Sequence, residues 1–389
     1  MTRFRLTLRM LSPVHVGTGE VLTPESYVIR QEEGGAVLAA IDLSALLSSL
    51  TPADRDTFNR AADAGDFVAI RRFIRERSQS GQFDLWVAAV DNDLRDRYEE
   101  GMDRVSAELA IHPMTRTGLG QRPYVPGSSI KGAIRTAVLQ RLVDKEPGHA
   151  AALHGRWPGR SKSDGQNLEA DVLGYLGEDR SGRPRAEIRA DPFRAVRITD
   201  APIQGNAVAT FVGRVTVAAR PSTRPARARG RPRSDPSGIQ LYYEVTYSAL
   251  SEGAVVEAVG EMTLDERLAQ ADAREAWGRR FPHPVAQAFR AAEILDSCNV
   301  FYSARLRDEA LAFGAVSEDL KGAYADLQGD AEAAQKRGEA ILRLGRFSHV
   351  ECMTLAPPLR SATGGGSRTT VGGWGPLGWA ALRLEPVQP

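Results

Sequence analysis

The chain has 389 residues, 42% of them hydrophobic and 25% charged, which is the composition of an ordinary globular protein with more than one domain. The formal net charge is only +1, and two cysteines, Cys298 and Cys352, are too few for a disulfide framework or a four-cysteine zinc site. No apolar run reaches the roughly 18 residues that a membrane-spanning helix needs, and arginines interrupt the N-terminus where a signal peptide would be apolar. We therefore expect a cytoplasmic protein.

The N-terminus predicts a strand followed by a glycine-containing loop. Apolar side chains from Phe4 to Met10 alternate with arginine or threonine, so one face of the strand is expected to be buried and the other basic. Residues 15–19 form the loop that follows. His15 has two interpretations, either a general acid or base for RNA cleavage, or a loop histidine that packs and hydrogen-bonds.

Two short strands and an acidic helical insertion come next. Residues 27–30 and 36–41 predict the strands. Residues 42–110 are expected to be mainly helical, and residues 42–108 hold 14 acidic against 9 basic side chains. Asp42 is predicted to cap the first helix, although a carboxylate here could also belong to an RNA-cleavage site.

The most distinctive sequence motif for a binding site lies in residues 124–136. Pro126 begins a turn, after which Ser128 or Ser129 is predicted to cap a helix with apolar residues at helical spacing. A helix N-terminus with hydroxyl groups and cations on one face can bind phosphate, and the alternative is an ordinary capped helix with surface charges. The spacing of a Walker motif is absent. The candidate phosphate ligands are Gly127, Ser128, Ser129, Lys131 and Arg135.

The remaining elements predict an α+β fold rather than a regular alternation of strands and helices. Residues 147–185 are expected to form loops with one helix, and residues 265–344 to be helical with a break at 281–284. Further strands are predicted at residues 194–199, 208–217, 241–247, 255–264 and 379–384. We divide the chain into residues 1–145, a domain that carries the insertion, residues 146–265, a basic and strand-rich region, and residues 266–389, a helical segment with a glycine-rich loop and a closing strand.

Positive charge is concentrated in the middle of the chain. Residues 156–233 hold 16 basic and 8 acidic side chains, and residues 220–233 hold six arginines and no acid. This arm, with Arg227 and Arg229, is typical of sequence-independent nucleic-acid binding or of a mobile surface loop. Near the C-terminus, glycines together with Arg346 and Arg368 could cradle phosphate or form a flexible connection. The histidines lack metal-ligand spacing, so no metal is expected.

Several of these segments together resemble the RAMP superfamily of CRISPR effector proteins. Residues 11–20 (LSPVHVGTGE) and residues 124–135 (YVPGSSIKGAIR) are similar to two hallmarks of that superfamily. The helical segment that begins at residues 41–47 (IDLSALL) is similar to the RAMP subunit that caps the head of type III-A, or Csm, complexes. Other matching segments are residues 191–200, 261–265, 344–347 and 375–379.

This resemblance implies a ferredoxin-like, or RRM-like, RAMP fold of the Cas7-like kind, with helical insertions and a second, degenerate ferredoxin-like half. It implies a non-catalytic backbone subunit that binds the 3′ region of the CRISPR RNA without a nucleotide or metal cofactor. The implied partners are the guide, the target RNA, a neighbouring repeating RAMP subunit and the small helical subunit, with no membrane. The RNA-binding residues carried over from the motifs are His15, Gly17, Gly127, Ser128, Ser129, Lys131 and Arg135.

The chain departs from the family pattern in three places. Residues 345–349 hold one glycine where the superfamily has several, and the arginine arm at residues 220–233 is not part of the pattern. The aspartate with which repeating backbone subunits cut target RNA has no match, because Asp42 opens the helical insertion. Three alternatives stay open: a guide-processing endoribonuclease that uses His15, another backbone position in a different type III complex, and a scaffold without RNA contact.

Overall fold

A computed structural model describes residues 1–102, 109–118, 120–159, 161, 163–204, 210–219, 242–246, 255–269, 275–359, 367–371 and 375–388. The strands are β1 (Thr2–Met10), β2 (Tyr27–Glu32), β3 (Gly35–Ile41), β4 (Asp84–Val90), β5 (Ile111–His112), β6 (Tyr124–Val125), β7 (Leu176–Glu178), β8 (Pro184–Ala186), β9 (Val196–Ile198), β10 (Ala201–Pro202), β11 (Thr210–Ala219), β12 (Tyr242–Thr246), β13 (Glu257–Leu264), β14 (Glu275–Ala276), β15 (Arg279–Arg280), β16 (Ala340–Arg343), β17 (Ser367–Val371) and β18 (Trp379–Pro386). The helices are α1 (Leu43–Ser49), α2 (Pro52–Asp63), α3 (Phe67–Arg77), α4 (Asn92–Gly101), α5 (Gly127–Asp144), α6 (His149–Arg156), α7 (Asp164–Val172), α8 (Glu266–Ala269), α9 (His283–Ala288), α10 (Ala291–Phe313), α11 (Glu318–Lys336) and α12 (His349–Met353). Among the described helices, none has the length and apolar character to cross a membrane.

The first sheet has five strands in the order β16–β18–β1–β13–β9, and all neighbours are antiparallel. The predicted alternation in β1 is confirmed at Leu6 and Leu8, which are fully buried, and at Arg3 and Arg5, which are exposed, but Thr7 on the predicted polar face is buried as well. β1 lies at the centre, so the sheet takes strands from all three segments into which we divided the sequence. That division stays a prediction.

Helices α5 and α10 pack against each other and against strands of the first sheet. The predicted helical spacing in α5 is confirmed, because its apolar positions, among them Ile130, Ile134 and Val138, are fully buried in the largest core of the described residues. The hydroxyl group of Tyr302 on α10 donates a hydrogen bond to the carbonyl group of Ala133 on α5 (3.1 Å). This packing fixes the position of α5, whose first turns border the candidate site.

The second sheet has the order β2–β3–β4–β11–β12–β5, with β17 paired to the far end of β11. Its pairs are antiparallel except β4 with β11 and β5 with β12, which are parallel. The parallel pair of β5 and β12 places Tyr243 opposite His112. The chain therefore has a mixed α/β fold built on two sheets.

Several sequence predictions of secondary structure are confirmed, and three are wrong in part. Residues 147–185, expected to form loops with one helix, contain the two helices α6 and α7 and most of the hairpin of β7 and β8. The side chain of Asp42 accepts a hydrogen bond from the amide of Ala45 (2.9 Å), which confirms the helix cap. The mainly helical prediction for residues 42–110 is wrong at β4, and that for residues 265–344 is wrong at β14, β15 and β16. Short apolar runs such as β4 and β16 fit a buried strand and a helix turn equally well, and the strands that pair with them are far away in sequence.

Candidate nucleic-acid interface

A cavity of about 470 Å³ lies where the first loop, helix α5 and the segment after β16 meet. Strands β5 and β12 of the second sheet complete its wall. The residues that line it include His15, Gly17, His112, Ser129, Tyr243 and Arg346. Four of these six were predicted from three separate parts of the sequence, and the fold brings them to one place.

Backbone hydrogen bonds hold the walls of the cavity together. The amide of Arg346 donates to the carbonyl group of His15 (3.0 Å). The amide of Gly378 donates to the carbonyl group of Pro13 (2.8 Å), and the carbonyl group of Gly378 accepts from the amide of Leu344 (2.7 Å). Three of the segments that resemble RAMP motifs are therefore in direct contact.

His15 is buried and electrically neutral. Its Nδ1 lies 2.6 Å from the carbonyl oxygen of Glu244, and because a carbonyl oxygen only accepts, Nδ1 carries the proton. Gly17 packs against the other ring nitrogen, since an added Cβ would lie 2.6 Å from Nε2. Burial, with smaller repulsion from His112 and Arg346, lowers the pKa of His15 to about 4. At pH 7 its Nε2 can accept a hydrogen bond from a hydroxyl group, and the neutral ring supplies no positive charge of its own to a phosphate.

Tyr243 lies at the centre of an aromatic cluster at the cavity wall. His112 stacks on its ring at 4.5 Å, and His15 and Phe347 approach its ring edge-on at 4.9 and 5.2 Å. The guanidinium group of Arg346 lies 5.7 Å from the centre of the same ring and forms no ion pair with a described residue. A cation held over an aromatic face keeps its charge available to a ligand. Sequence reasoning missed His112 and Tyr243, because only the pairing of β5 with β12 brings them to the first loop.

The start of α5 differs from the prediction. Pro126 precedes the helix and no side chain caps it, so the predicted cap by Ser128 or Ser129 is wrong. Ser128 is exposed and Ser129 half-buried. An added Cβ at Gly127 would lie 2.3 Å from the carbonyl oxygen of Ile198, so the chain after β9 covers the helix end. The amide of Gly127 donates to Oδ1 of Asp200 (2.9 Å), a protein carboxylate at the predicted place of a phosphate.

The two predicted cations of α5 are engaged by the protein itself. Nζ of Lys131 donates to the carbonyl group of Val196 (2.7 Å), and burial lowers the pKa of this lysine. The partners of Arg135 are the carboxylates of Glu169 (2.8 Å) and Asp191 (2.9 Å) and the hydroxyl group of Tyr175 (2.9 Å). Both side chains fasten α5 to the segment that runs from α7 to β9, and their part in RNA binding stays a prediction.

The remaining predicted residues lie elsewhere. Arg227 and Arg229 fall outside the described residues. Arg368, predicted for a glycine-rich phosphate cradle, is buried in β17, where its Nε donates to Oε2 of Glu309 (2.5 Å). Its charge is thus satisfied inside the protein. Within the described part of the chain, no group of three His, Cys, Asp or Glu residues could hold a metal ion.

The low pKa of His15 makes the stability of the protein depend on pH. An unfolded histidine has a pKa of about 6.5. Between about pH 6.5 and 4, His15 therefore binds a proton in the unfolded chain but not in the folded chain. The free energy of unfolding therefore falls as the pH drops through this window. We expect the His15→Asn variant to reduce this slope by up to about 1.4 kcal/mol per pH unit, as measured by urea unfolding. The same substitution at the exposed His154 is the control, and equal slopes for the two variants would contradict this assignment.

Comparison with protein families gives a match between the RAMP superfamily and residues 7–276. The chain belongs to the RAMP superfamily. It is similar to the CRISPR system Cms protein Csm5 of Mycobacterium tuberculosis (strain CDC 1551 / Oshkosh), with 28% identity over 211 residues, which are 51% of this chain and 54% of the relative. A Streptococcus thermophilus Csm5 is 23% identical over 271 residues, covering 66% of this chain and 68% of the relative. The chain thus spans about half the length of the mycobacterial relative that it matches.

Two solved structures share the fold. A chain in the cryo-EM structure of a Csm–crRNA–target RNA ternary complex of a type III-A CRISPR–Cas system has a TM-score of 0.64 and 19% identity, covering 98% of this chain and 100% of that chain. The crystal structure of T. onnurineus Csm5 has a TM-score of 0.62 and 19% identity, covering 96% and 99%. The resemblance to a Csm5-like RAMP subunit of type III-A systems that the motifs indicated is therefore confirmed.

Proposed function

We propose that this RAMP protein is a non-catalytic backbone subunit of a type III-A CRISPR interference complex, and that it caps the head of the complex and binds the 3′ region of the guide RNA. The observation that carries the proposal is the cavity at which the first loop, α5 and the Arg346 segment meet. The similarity to Csm5 and the shared fold with a chain of a Csm–crRNA–target RNA complex support it. The target RNA, a repeating RAMP subunit and the small helical subunit are its proposed neighbours, and the two sheets its proposed ferredoxin-like halves.

The chemistry of the cavity suits the sugar–phosphate backbone of RNA. Arg346 offers a positive charge that is in no ion pair with a described carboxylate, and the neutral Nε2 of His15 offers an acceptor for a ribose 2′-hydroxyl group. Gly17 leaves the close approach to His15 open, because any larger residue would meet the imidazole ring. Contacts of this kind bind RNA largely without regard to its sequence, as a guide-binding subunit requires.

The test is RNA binding by the full-length chain with Arg346 replaced. We expect Arg346→Ala to weaken the affinity for a fluorescein-labelled guide RNA at least about tenfold, because a charged hydrogen bond to phosphate is lost. The slope of log K against log salt should fall by about 0.7, the value for one phosphate of a single strand. The matched control is Arg307→Ala, which removes an exposed arginine of α10.

Two results would contradict the proposal. The first is an Arg346→Ala variant whose affinity and salt slope equal those of the Arg307→Ala control. The second is cleavage of repeat RNA by the wild-type chain that is abolished in His15→Ala, which would instead support the guide-processing endoribonuclease.

A further inference from the structure

A second concave surface, which shares no lining residue with the cavity at His15, lies between two short hairpins. We call it the hairpin groove. One wall is the hairpin of β7 and β8 with residues 187–194 after it, and the other is the hairpin of β14 and β15. Its volume is about 730 Å³. The principal side chains along it are those of Arg185, Ile188, Arg189, Arg194, Trp277 and Arg279.

The hairpin groove has an excess of positive charge. Four arginines line it, against two glutamates. Arg279 is held by Glu187 (2.5 Å) and by the carbonyl groups of Gly174 and Leu176, so it shapes the wall. Arg185 and Arg189, by contrast, are exposed and form no ion pair with any residue that the structure describes. Two guanidinium groups thus face solvent in a concave surface, where a polyanion can displace their counterions.

Trp277 lines the same groove from an unusual backbone position. It has a φ of +54° and is followed by Gly278 with a φ of +79°, and the two form the tight turn between β14 and β15. Turns of this kind favour Asn, Asp or Gly, and a bulky aromatic residue at positive φ carries strain. The indole ring is half-buried, contacts Phe281 edge-on at 6.2 Å and has the Arg194 guanidinium group 5.7 Å from its centre.

We propose that the hairpin groove binds single-stranded RNA, with a base stacked on Trp277 and neighbouring phosphates paired with Arg185 and Arg189. An aromatic platform beside arginines is the arrangement by which proteins hold single strands without base specificity. A contact between the indole ring and a ligand would explain why a tryptophan occupies this strained backbone position. This inference rests on the proposed function, since it gives the guide or target strand a second contact on the same chain.

The test compares groove variants of the full-length chain in binding a short fluorescein-labelled oligoadenylate. Arg185→Ala/Arg189→Ala is expected to lower the affinity at least tenfold and the salt slope by about 1.4, the value for two phosphates. The matched control is Arg55→Ala/Arg307→Ala, which removes two other exposed arginines. Trp277→Leu keeps an apolar side chain against Phe281 but removes the stacking face, and should cost roughly fivefold to a hundredfold in affinity. Trp277→Phe should restore part of that loss.

The outcomes separate this inference from the proposed function. If both groove variants bind like the control while Arg346→Ala binds weakly, the groove proposal is overturned and the cavity proposal stands. If the groove variants bind RNA normally but no longer copurify with the other subunits, the groove is a protein-docking surface and the RNA proposal is overturned. A wild-type chain that binds the guide RNA but not the oligoadenylate overturns the groove proposal and leaves the cavity proposal standing. The double arginine variant keeps the test decisive even if the tryptophan variants do not fold.

Discussion

Replacing Glu309 by alanine is expected to lower the free energy of unfolding by about 3–5 kcal/mol, because it leaves two buried guanidinium groups without their shared carboxylate. Glu309 lies on α10 and is almost completely buried. Its carboxylate accepts hydrogen bonds from Arg343 and Arg368 and from the hydroxyl group of Tyr324 (3.1 Å). Although burial alone would raise it, the two arginines outweigh burial and hold the pKa of Glu309 below its usual value.

Urea unfolding of the full-length chain measures this loss. Glu318→Ala is the matched control, because Glu318 forms an exposed ion pair with Lys321 (3.2 Å), and removing such a pair should change stability by less than about 1 kcal/mol. Glu309→Gln, which keeps the size of the side chain, should fall between the two. A loss for Glu309→Ala no larger than that of the control would show that the buried charges are compensated in another way.

The ion network around Glu309 also explains how the candidate site is supported. Arg343 ends β16 of the first sheet, Arg368 lies on β17 beside β11 of the second sheet, and Glu309 on α10 binds both. Arg343 in turn lines the cavity that also contains His15. The network therefore ties the two sheets together directly beside the cavity, so its loss is expected to disturb the site as well as the fold.

Local patterns in the sequence predicted local structure well. Period-two alternation identified β1, and Asp42 was correctly placed as a cap, because both depend on residues that are near each other in the chain. The strands β4 and β16 were missed, because their pairing partners are distant and an apolar run alone does not distinguish strand from helix.

The same distinction between local and distant contacts applies to the residues of the candidate site. The loop and helix-start motifs identified His15, Gly17 and Ser129 as neighbours of a site. Arg368 was predicted to line a phosphate cradle, but it forms a buried ion pair with Glu309 instead. The sequence does not indicate this pair, because Glu309 is 59 residues away from Arg368. His112 was missed for the converse reason, since its place beside the first loop follows only from the second sheet.

The Gly345→Ala variant is expected to lose about 3 kcal/mol of stability and to bind guide RNA as poorly as Arg346→Ala. Gly345 has a φ of +81° and a ψ of −168°, a region that is almost exclusive to glycine. An added Cβ would lie 2.0 Å from the carbonyl oxygen of His15, which is the acceptor of the Arg346 amide. The methyl group must therefore push the two segments apart, which adds steric cost to backbone strain and moves the Arg346 cation from the cavity.

Gly338→Ala is the control that separates backbone strain from the steric cost of the added methyl group. Gly338 follows α11 with a φ of +77°, but an added Cβ there meets no atom within 4 Å, so only the backbone strain of about 1–2 kcal/mol is expected, with normal RNA binding. Urea unfolding and RNA titration of both variants give the comparison. If Gly345→Ala matched Gly338→Ala in both measurements, the contact between the first loop and the Arg346 segment would not be what shapes the cavity. A loss of RNA affinity confined to Gly345→Ala would tie guide binding to that contact, because both variants add a methyl group at a glycine with positive φ.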